Sequence, residues 1–396
     1  MTVILERLFV LLIFLKEKMF YSCILLSCFI SCESVNNVSS VKEKYFIEEY
    51  KPLSIDLHAS EGGLARINKK AIAVVYRRDN SLSHVSNNSD IVLKISNNNG
   101  KTWGNEQKIY DSPYDDRNLI VGNLANGSII IVFRRYDVEN KQTIDSGYII
   151  SSDEGKTWSD YIKIGGTENV SNQPFGSIMI DGEISSFLIN YDKGVTKRYS
   201  TFDNFSGSPN ETIIVNDDSK ILQEPFLVNI SDGKSILIFR NGNGKYGQSS
   251  YFQYNSDDGI NFYFKGETNL FDDFKQPVRN PVSLRYDKKS NQLEVCAVSR
   301  VLANTEENLK NELRIYRQDA DAVFDNPQKY VLKHNVLRPF PSKHWFYGYP
   351  KFLNISKNDV LYIITDSRIN DLSISPLTHL NNEQANLYTF KIKNNQ

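Results

Sequence analysis

The chain has 396 residues, 40% of them hydrophobic and 12% aromatic, enough for a large core in one domain or two. Its 46 basic and 47 acidic side chains leave a net charge of −1, which excludes the broad basic face a nucleic-acid partner needs. Of four cysteines, three precede residue 33 and only Cys296 follows, which excludes a disulfide framework.

Residues 1–32 differ from the rest. Two apolar runs, 8–15 and 19–30, flank Lys16-Glu17-Lys18, and each is short for a bilayer span. A basic patch, an apolar stretch and then small residues with Cys predict an export signal, with Met19 as an alternative start. LLSC ending at Cys28 and FISC ending at Cys32 both resemble a bacterial lipobox. The expectation is therefore an exported chain of the periplasm or cell surface, lipidated at Cys28 or Cys32 and touching membrane only through that anchor. Polar residues 33–43 read as a linker and 44–396 as one globular domain.

A short box recurs along the domain: SNNNGKTW (96–103), SSDEGKTW (151–158) and, more worn, NSDDGINF (255–262). Trp103 and Trp158 lie 55 residues apart and Phe262 a further 104, almost two periods on, so one eroded copy is expected between them. A period near 50 to 55 residues is that of a propeller blade. In each box the acidic or amide side chain is placed to cap backbone N–H groups, the Gly to take a positive φ, and the aromatic to plug between neighbouring sheets.

Six longer segments share a second pattern, a polar leader, a short strand, a turn and an apolar strand ending in charge. Their leaders are Glu61, Arg117, Gln173, Glu224, Asn280 and Tyr349, spaced by 56, 56, 51, 56 and 69 residues. No stretch after residue 40 keeps a helical period with caps. The reading is an all-β, six-bladed β-propeller of four-stranded antiparallel blades. The last blade lacks a strand, and residues 44–50 are expected to pair with 387–392 and close the ring. The boxes follow third strands and belong on the face opposite the leaders.

Leaders of innermost strands converge at one mouth. That ring gathers His58, Glu61, Asp116, Arg117, Gln173, Glu224, Arg279, Tyr347 and Tyr349, with Arg78, Arg135, Tyr191, Arg240, Arg300 and Arg368 ending the second strands. A concave mouth with several arginines suits an anionic ligand, whereas the bland alternative is that strand-end charges face solvent.

The boxes, the six-fold period and EPFLVNISDGKSILIFRNGNG (224–244) resemble the sialidase superfamily from about Leu53 to Ile392. The resemblance implies a glycoside hydrolase acting on terminal sugars, sialic acid or another acidic sugar, with three arginines on the sugar carboxylate, a Tyr nucleophile polarised by a Glu, and an Asp acid/base. By position Tyr349 matches the nucleophile, Glu224 its partner and Arg240 the second arginine. Glu61-Gly62-Gly63 stands in place of the family's Arg-Ile-Pro, His84 falls at the acid/base position with His58 and Asp90 as competitors, and Lys310 falls near the third arginine. Substrate contacts are then expected from Arg240, Arg117, Asp116, Arg279, Glu61, Arg78, Arg300, His58 and Tyr347. There is no metal-ligand spacing, nucleotide loop or nucleophilic Ser motif, so no metal or cofactor is expected. A non-catalytic carbohydrate-binding propeller is the alternative, and a protein-binding propeller a third reading.

Overall fold

The computed structural model describes residues 47–55, 57–164, 172–191, 194–231, 233–242, 248–273, 280–299, 312–337, 345–356, 359–369 and 383–392. The two lipobox cysteines, Arg279, Arg300 and Lys310 lie outside them, as do the side chains of Tyr347 and Arg368.

The first strand, β1 (Ile47–Ser54), leads into β2 (His58–Arg66), β3 (Ile72–Asp79), β4 (Ser89–Ser96) and β5 (Gln107–Tyr110). The next sheet holds β6 (Asp115–Asn123), β7 (Ile129–Asp137), β8 (Gln142–Ser151) and β9 (Ile162–Ile164). A third contains β10 (Asn172–Pro174), β11 (Met179–Asp181), β12 (Ile184–Tyr191), β13 (Val195–Thr201) and β14 (Asn210–Asn216), where β10 and β11 both pair with β12. The fourth comprises β15 (Leu222–Asn229), β16 (Ser235–Asn241), β17 (Tyr251–Ser256) and β18 (Tyr263–Glu267). The fifth comprises β19 (Ser283–Asp287), β20 (Gln292–Val298), β21 (Glu312–Asp319) and β22 (Leu332–Leu337). Last come β23 (Trp345–Asn354), β24 (Val360–Ile369) and β25 (Glu383–Ile392).

Apart from β1 and β2, and β10 and β11, consecutive strands of a sheet pair antiparallel. The β23–β25 group and the β2–β5 group count as one eight-stranded sheet only through a single parallel pair, His58 with Ala385. On the same edge of β25 as His58, opposite β24, lies β1, antiparallel, with Ile47 opposite Ile392. This edge strand carries Glu48, Glu49, Lys51 and Pro52, residues that discourage further pairing.

The sheets pack face to face through apolar clusters that each draw on two neighbours. Val75, Ile91 and Leu93 of the first sheet meet Ile129, Ile131 and Phe133 of the second, which in turn offers Ile130, Val132 and Tyr148 to Phe187 and Tyr199 of the third. Because β3 and β7 are buried on both faces, their sequences are continuous apolar runs without alternation.

Four boxes close the third strands. In the second sheet Gly155 N donates to Ser151 Oγ at 2.8 Å, and Asp153 accepts from the backbone of Lys156 and Thr157 at 3.1 and 2.9 Å. Ser96/Asn98 repeats the arrangement after β4, and after β17 Asp258, itself bonded to Ser256, accepts from the backbone of Ile260 and Asn261 at 2.8 Å each. The eroded copy is at β13, where Thr201 and Asp203 hydrogen-bond each other. Trp103 packs against a cluster shared by the first sheet (Val74, Val92) and the last (Leu361, Ile363), and Trp158 against one shared by the first (Val75, Leu93) and the second (Ile129, Ile131), so both plug between sheets. After β21 a six-residue helix, α1 (Ala320–Asp325), replaces the box, capped by Asp319. This helix departs from the all-strand expectation; six residues are too few to carry a legible period.

Inner strands approach closely at glycines. A Cβ on Gly63 would lie 2.6 Å from Cβ of Val121, against the β6 backbone. Gly63→Ala is expected to cost about 1–3 kcal/mol through overpacking, read by denaturant unfolding as a lowered midpoint at unchanged slope.

Candidate functional site

Four inner strands share one irregularity. The register slips between Ser60 and Gly63 in β2, Arg117 and Ile120 in β6, Gln223 and Phe226 in β15, and Gly348 and Lys351 in β23. At each slip a non-glycine residue has a positive φ: Glu61 (55°), Asn118 (59°), Glu224 (51°) and Tyr349 (49°). Such bulges re-aim side chains, and a left-handed backbone at a bulky residue persists only where its surroundings hold it there. Three of the four are leaders singled out by sequence; Asn118 follows the leader Arg117.

Around the first two slips lies a buried polar network. Arg117 Nη2 reaches Glu61 Oε1 at 3.3 Å and His84 Nε2 at 3.3 Å, and its Nη1 reaches Asp115 Oδ2 at 3.2 Å. Asn118 N donates to Glu61 Oε2. Asp115 also accepts from Arg77 Nε at 2.7 Å, Ser89 Oγ at 2.8 Å and Ser86 N at 3.2 Å. Arg77 Nη1 lies 3.2 Å from Nδ1 of the buried His58, whose ring meets that of His84 edge-on at 5.4 Å. A guanidinium can only donate, so both facing imidazole nitrogens are acceptors and unprotonated. Burial, then the charge of Arg77, pushes His58 well below its usual value. Burial alone would raise the Asp115 carboxyl, but Arg77 and Arg117 outweigh it and hold it below the usual range.

Across the mouth, Glu224 Oε2 lies 2.6 Å from Arg240 Nε, and Arg240 Nη2 donates to Gln223 Oε1 at 2.5 Å. The Tyr349 ring stands 6.4 Å from that of Phe175. Burial would lower Arg117, but Asp115 and then Glu61 outweigh it and keep the guanidinium charged. Two residues on, Lys351 reaches from the last sheet to the third and fourth. Its Nζ donates to Gly176 O at 2.9 Å and sits over the rings of Phe175 and Phe226, 4.5 and 5.0 Å from their centroids. The side chain keeps some open surface, yet its crowded setting pushes the ammonium down to about 7 against the opposing pull of Glu224 and Glu61.

Glu61, Arg117, His58 and His84 are thus linked through Arg117, Asp115 and Arg77, and Glu224 with Arg240 forms a second group. Arg78 is not drawn into either: it pairs with Asp90 at 2.6 Å and with Glu106. Asp116 is buried beneath Ser112, accepting from its N and Oγ at 3.0 and 2.8 Å, and burial raises its carboxyl to about 7. Arg135 pairs with Asp145 at 2.5 Å and lies over the Tyr161 ring. In both Arg-Arg pairs the first member, Arg77 or Arg134, is the buried one, whereas the sequence reading placed the second at the mouth. Asp115 and Lys351 were missed as well, although the register slip before Lys351 has its signal in GYPKF, where Pro350 interrupts a strand.

This fold is sialidase-like. Structures similar to the chain include a protein of unknown function from Dyadobacter fermentans (15% identity, 88% of this chain and 99% of that one, TM-score 0.66). The K499G mutant of the NanB sialidase from Streptococcus pneumoniae is similar at 8% identity over 88% of this chain and 70% of that one, TM-score 0.61. So is the intramolecular trans-sialidase from Ruminococcus gnavus, in complex with oseltamivir carboxylate, at 10% identity over 84% and 94%, TM-score 0.61. No family model and no curated protein matches the sequence.

Proposed function

We propose that the chain is an exported, lipid-anchored glycoside hydrolase built as a six-bladed propeller, acting on terminal sugars of glycans at the mouth where the inner strands begin. Its blades are the four separate sheets, the β2–β5 group, and the β23–β25 group completed by β1. The observation that carries the reading is the repeated bulge, which sets Glu61, Asn118, Glu224 and Tyr349 at equivalent points of four inner strands in a strained backbone. A propeller serving only as a scaffold has no need of that strain or of so many buried ionisable groups beside it.

In this reading the Tyr349 hydroxyl attacks the anomeric carbon while Glu224 takes its proton. Binding of the sugar draws Arg117 off His84, which then carries the proton it delivers to the leaving oxygen as that bond breaks; a water molecule that gives its proton to His84 then cleaves the sugar–tyrosine bond as Glu224 returns a proton to Tyr349. Arg240 and Arg117 supply charge to the bound sugar. A screen of the chain against aryl glycosides, including a sialoside and a uronide, and against acidic glycans tests the proposal; absence of turnover on all of them overturns it. His84→Ala is expected to slow substrates with poor leaving groups at least tenfold while sparing activated aryl glycosides, in steady-state rates across a leaving-group series.

A second reading, a carbohydrate-binding propeller without turnover, is favoured by the Glu224–Arg240 ion pair at 2.6 Å, which occupies the carboxylate that Tyr349 would need. Saturable glycan binding with no turnover is its signature.

A further inference from the structure

The strand that presents Tyr349 is tied down from two directions. Tyr349 and Pro350 occupy the slip, between Gly348, paired with Thr365, and Lys351, paired with Ile363. Pro350 O accepts from Ser283 Oγ of the fifth sheet. Lys351 reaches the other way, where its Nζ donates to Gly176 O at 2.9 Å and lies 4.5 and 5.0 Å from the ring centroids of Phe175 and Phe226. The acceptor is itself fixed: Gly176 has a φ of 108°, and a Cβ there would lie 3.1 Å from Pro225 O of the fourth sheet. Phe175, only 4% exposed, is shared, with the Tyr349 ring 6.4 Å from its own and the Lys351 amine 4.5 Å away.

A lysine set among rings in this way is costly to desolvate. Its amine makes no ion pair among the described residues, and burial lowers it to about 7 against the pull of Glu224 and Glu61. An apolar side chain of the same length would fill the space between the rings without that cost, so what the lysine adds is the donor to Gly176 O, which the amine keeps whether or not it is charged. Tyr349, meanwhile, holds a φ of 49°, a conformation that a bulky residue keeps only where its neighbours impose it.

We propose that Lys351 is the positioning residue of Tyr349: by reaching from the last sheet to Gly176, Phe175 and Phe226 it holds the slipped strand, and with it the phenol, in the orientation that attack on a sugar requires. This rests on the reading of Tyr349 as the nucleophile and adds the group that aims it. Glu61 and Glu224 are anchored through their own carboxylates, on Arg117 and Arg240. At the fourth slip the first residue back in register does the anchoring.

The test is Lys351→Met in the full chain, which keeps the apolar stem between the two rings and removes the donor. Hydrogen exchange read by mass spectrometry needs no substrate: peptides covering 172–176 and 345–354 are expected to exchange at least tenfold faster than in the wild type, while those covering β7 and β20 keep their rates. On the best glycoside found, kcat is expected to fall at least tenfold while Kd for an inert analogue changes no more than about threefold. Adding Lys351→Met to Tyr349→Phe should lower the rate no further, because the lysine acts through the tyrosine. Phe175→Leu, which removes the shared ring, should repeat both effects in milder form and takes over as the test if Lys351→Met does not fold. Unchanged exchange at both strands, or a loss of rate that adds in full to that of Tyr349→Phe, overturns the positioning role. If the wild type turns over no glycoside, the hydrolase reading falls, and exchange alone decides whether Lys351 holds the slip.

Discussion

Tyr349→Phe should abolish turnover on the best substrate found, by a factor of at least ~10³ in kcat, while the affinity for an inert analogue changes no more than about threefold. Only the phenolic oxygen is lost. The ring that packs near Phe175 remains, and so does the bulge that presents it, because that backbone is set by pairing with β24 on either side of the slip. The measurement is kcat from single-turnover kinetics beside Kd from calorimetry, on protein whose thermal midpoint matches the wild type. Wild-type turnover in this variant would end the tyrosine mechanism and leave His84 or Glu61 acting as base on water.

The second large effect is on stability. Asp115 is fully buried and joins two arginines, Arg77 and Arg117, to the loop around Ser86 and Ser89. Asp115→Ala strands both guanidinium groups without their shared anion and is expected to cost about 3–5 kcal/mol in chemical denaturation. Because the folded carboxyl titrates below its unfolded value, its contribution is present above pH ~4 and is lost as pH falls through the folded pKa. The wild type should therefore lose stability over that acid range, and the gap between wild type and Asp115→Ala should close as it does. A gap that stays constant down to pH 2 would mean that the pairing with Arg77 and Arg117 does not set the carboxyl's pKa.

The order of elements was legible because the box and the leader each recur with a period, and a period survives even where single residues drift. The same logic located the closing pair of β1 and β25, since a three-stranded last unit leaves an edge to be covered. Composition could not show which member of an Arg-Arg pair faces inward. That choice depends on strand parity, and parity is normally read from apolar–polar alternation, which Ile72 to Tyr76 and Ile129 to Phe133 lack because both their faces are buried. Sequence reasoning therefore chose Arg78 and Arg135, the arginines that pair outward with Asp90 and Asp145. Lys351 escaped for a related reason: a lone lysine in an apolar strand ordinarily turns its amine to water, whereas here a register slip carries it toward Gly176 and two phenylalanine rings. The box at Thr201 was hidden because Thr replaces Ser and an aromatic, Phe205, intrudes ahead of its glycine.

The direction of β1 sets the side from which the chain enters the sheets. Its start, Ile47, stands opposite the end of β25, at the level where the boxes close the third strands, and its far end feeds β2. A tag joined directly ahead of residue 47 is therefore carried at the box end of the sheets, remote from the bulges that present Glu61, Glu224 and Tyr349.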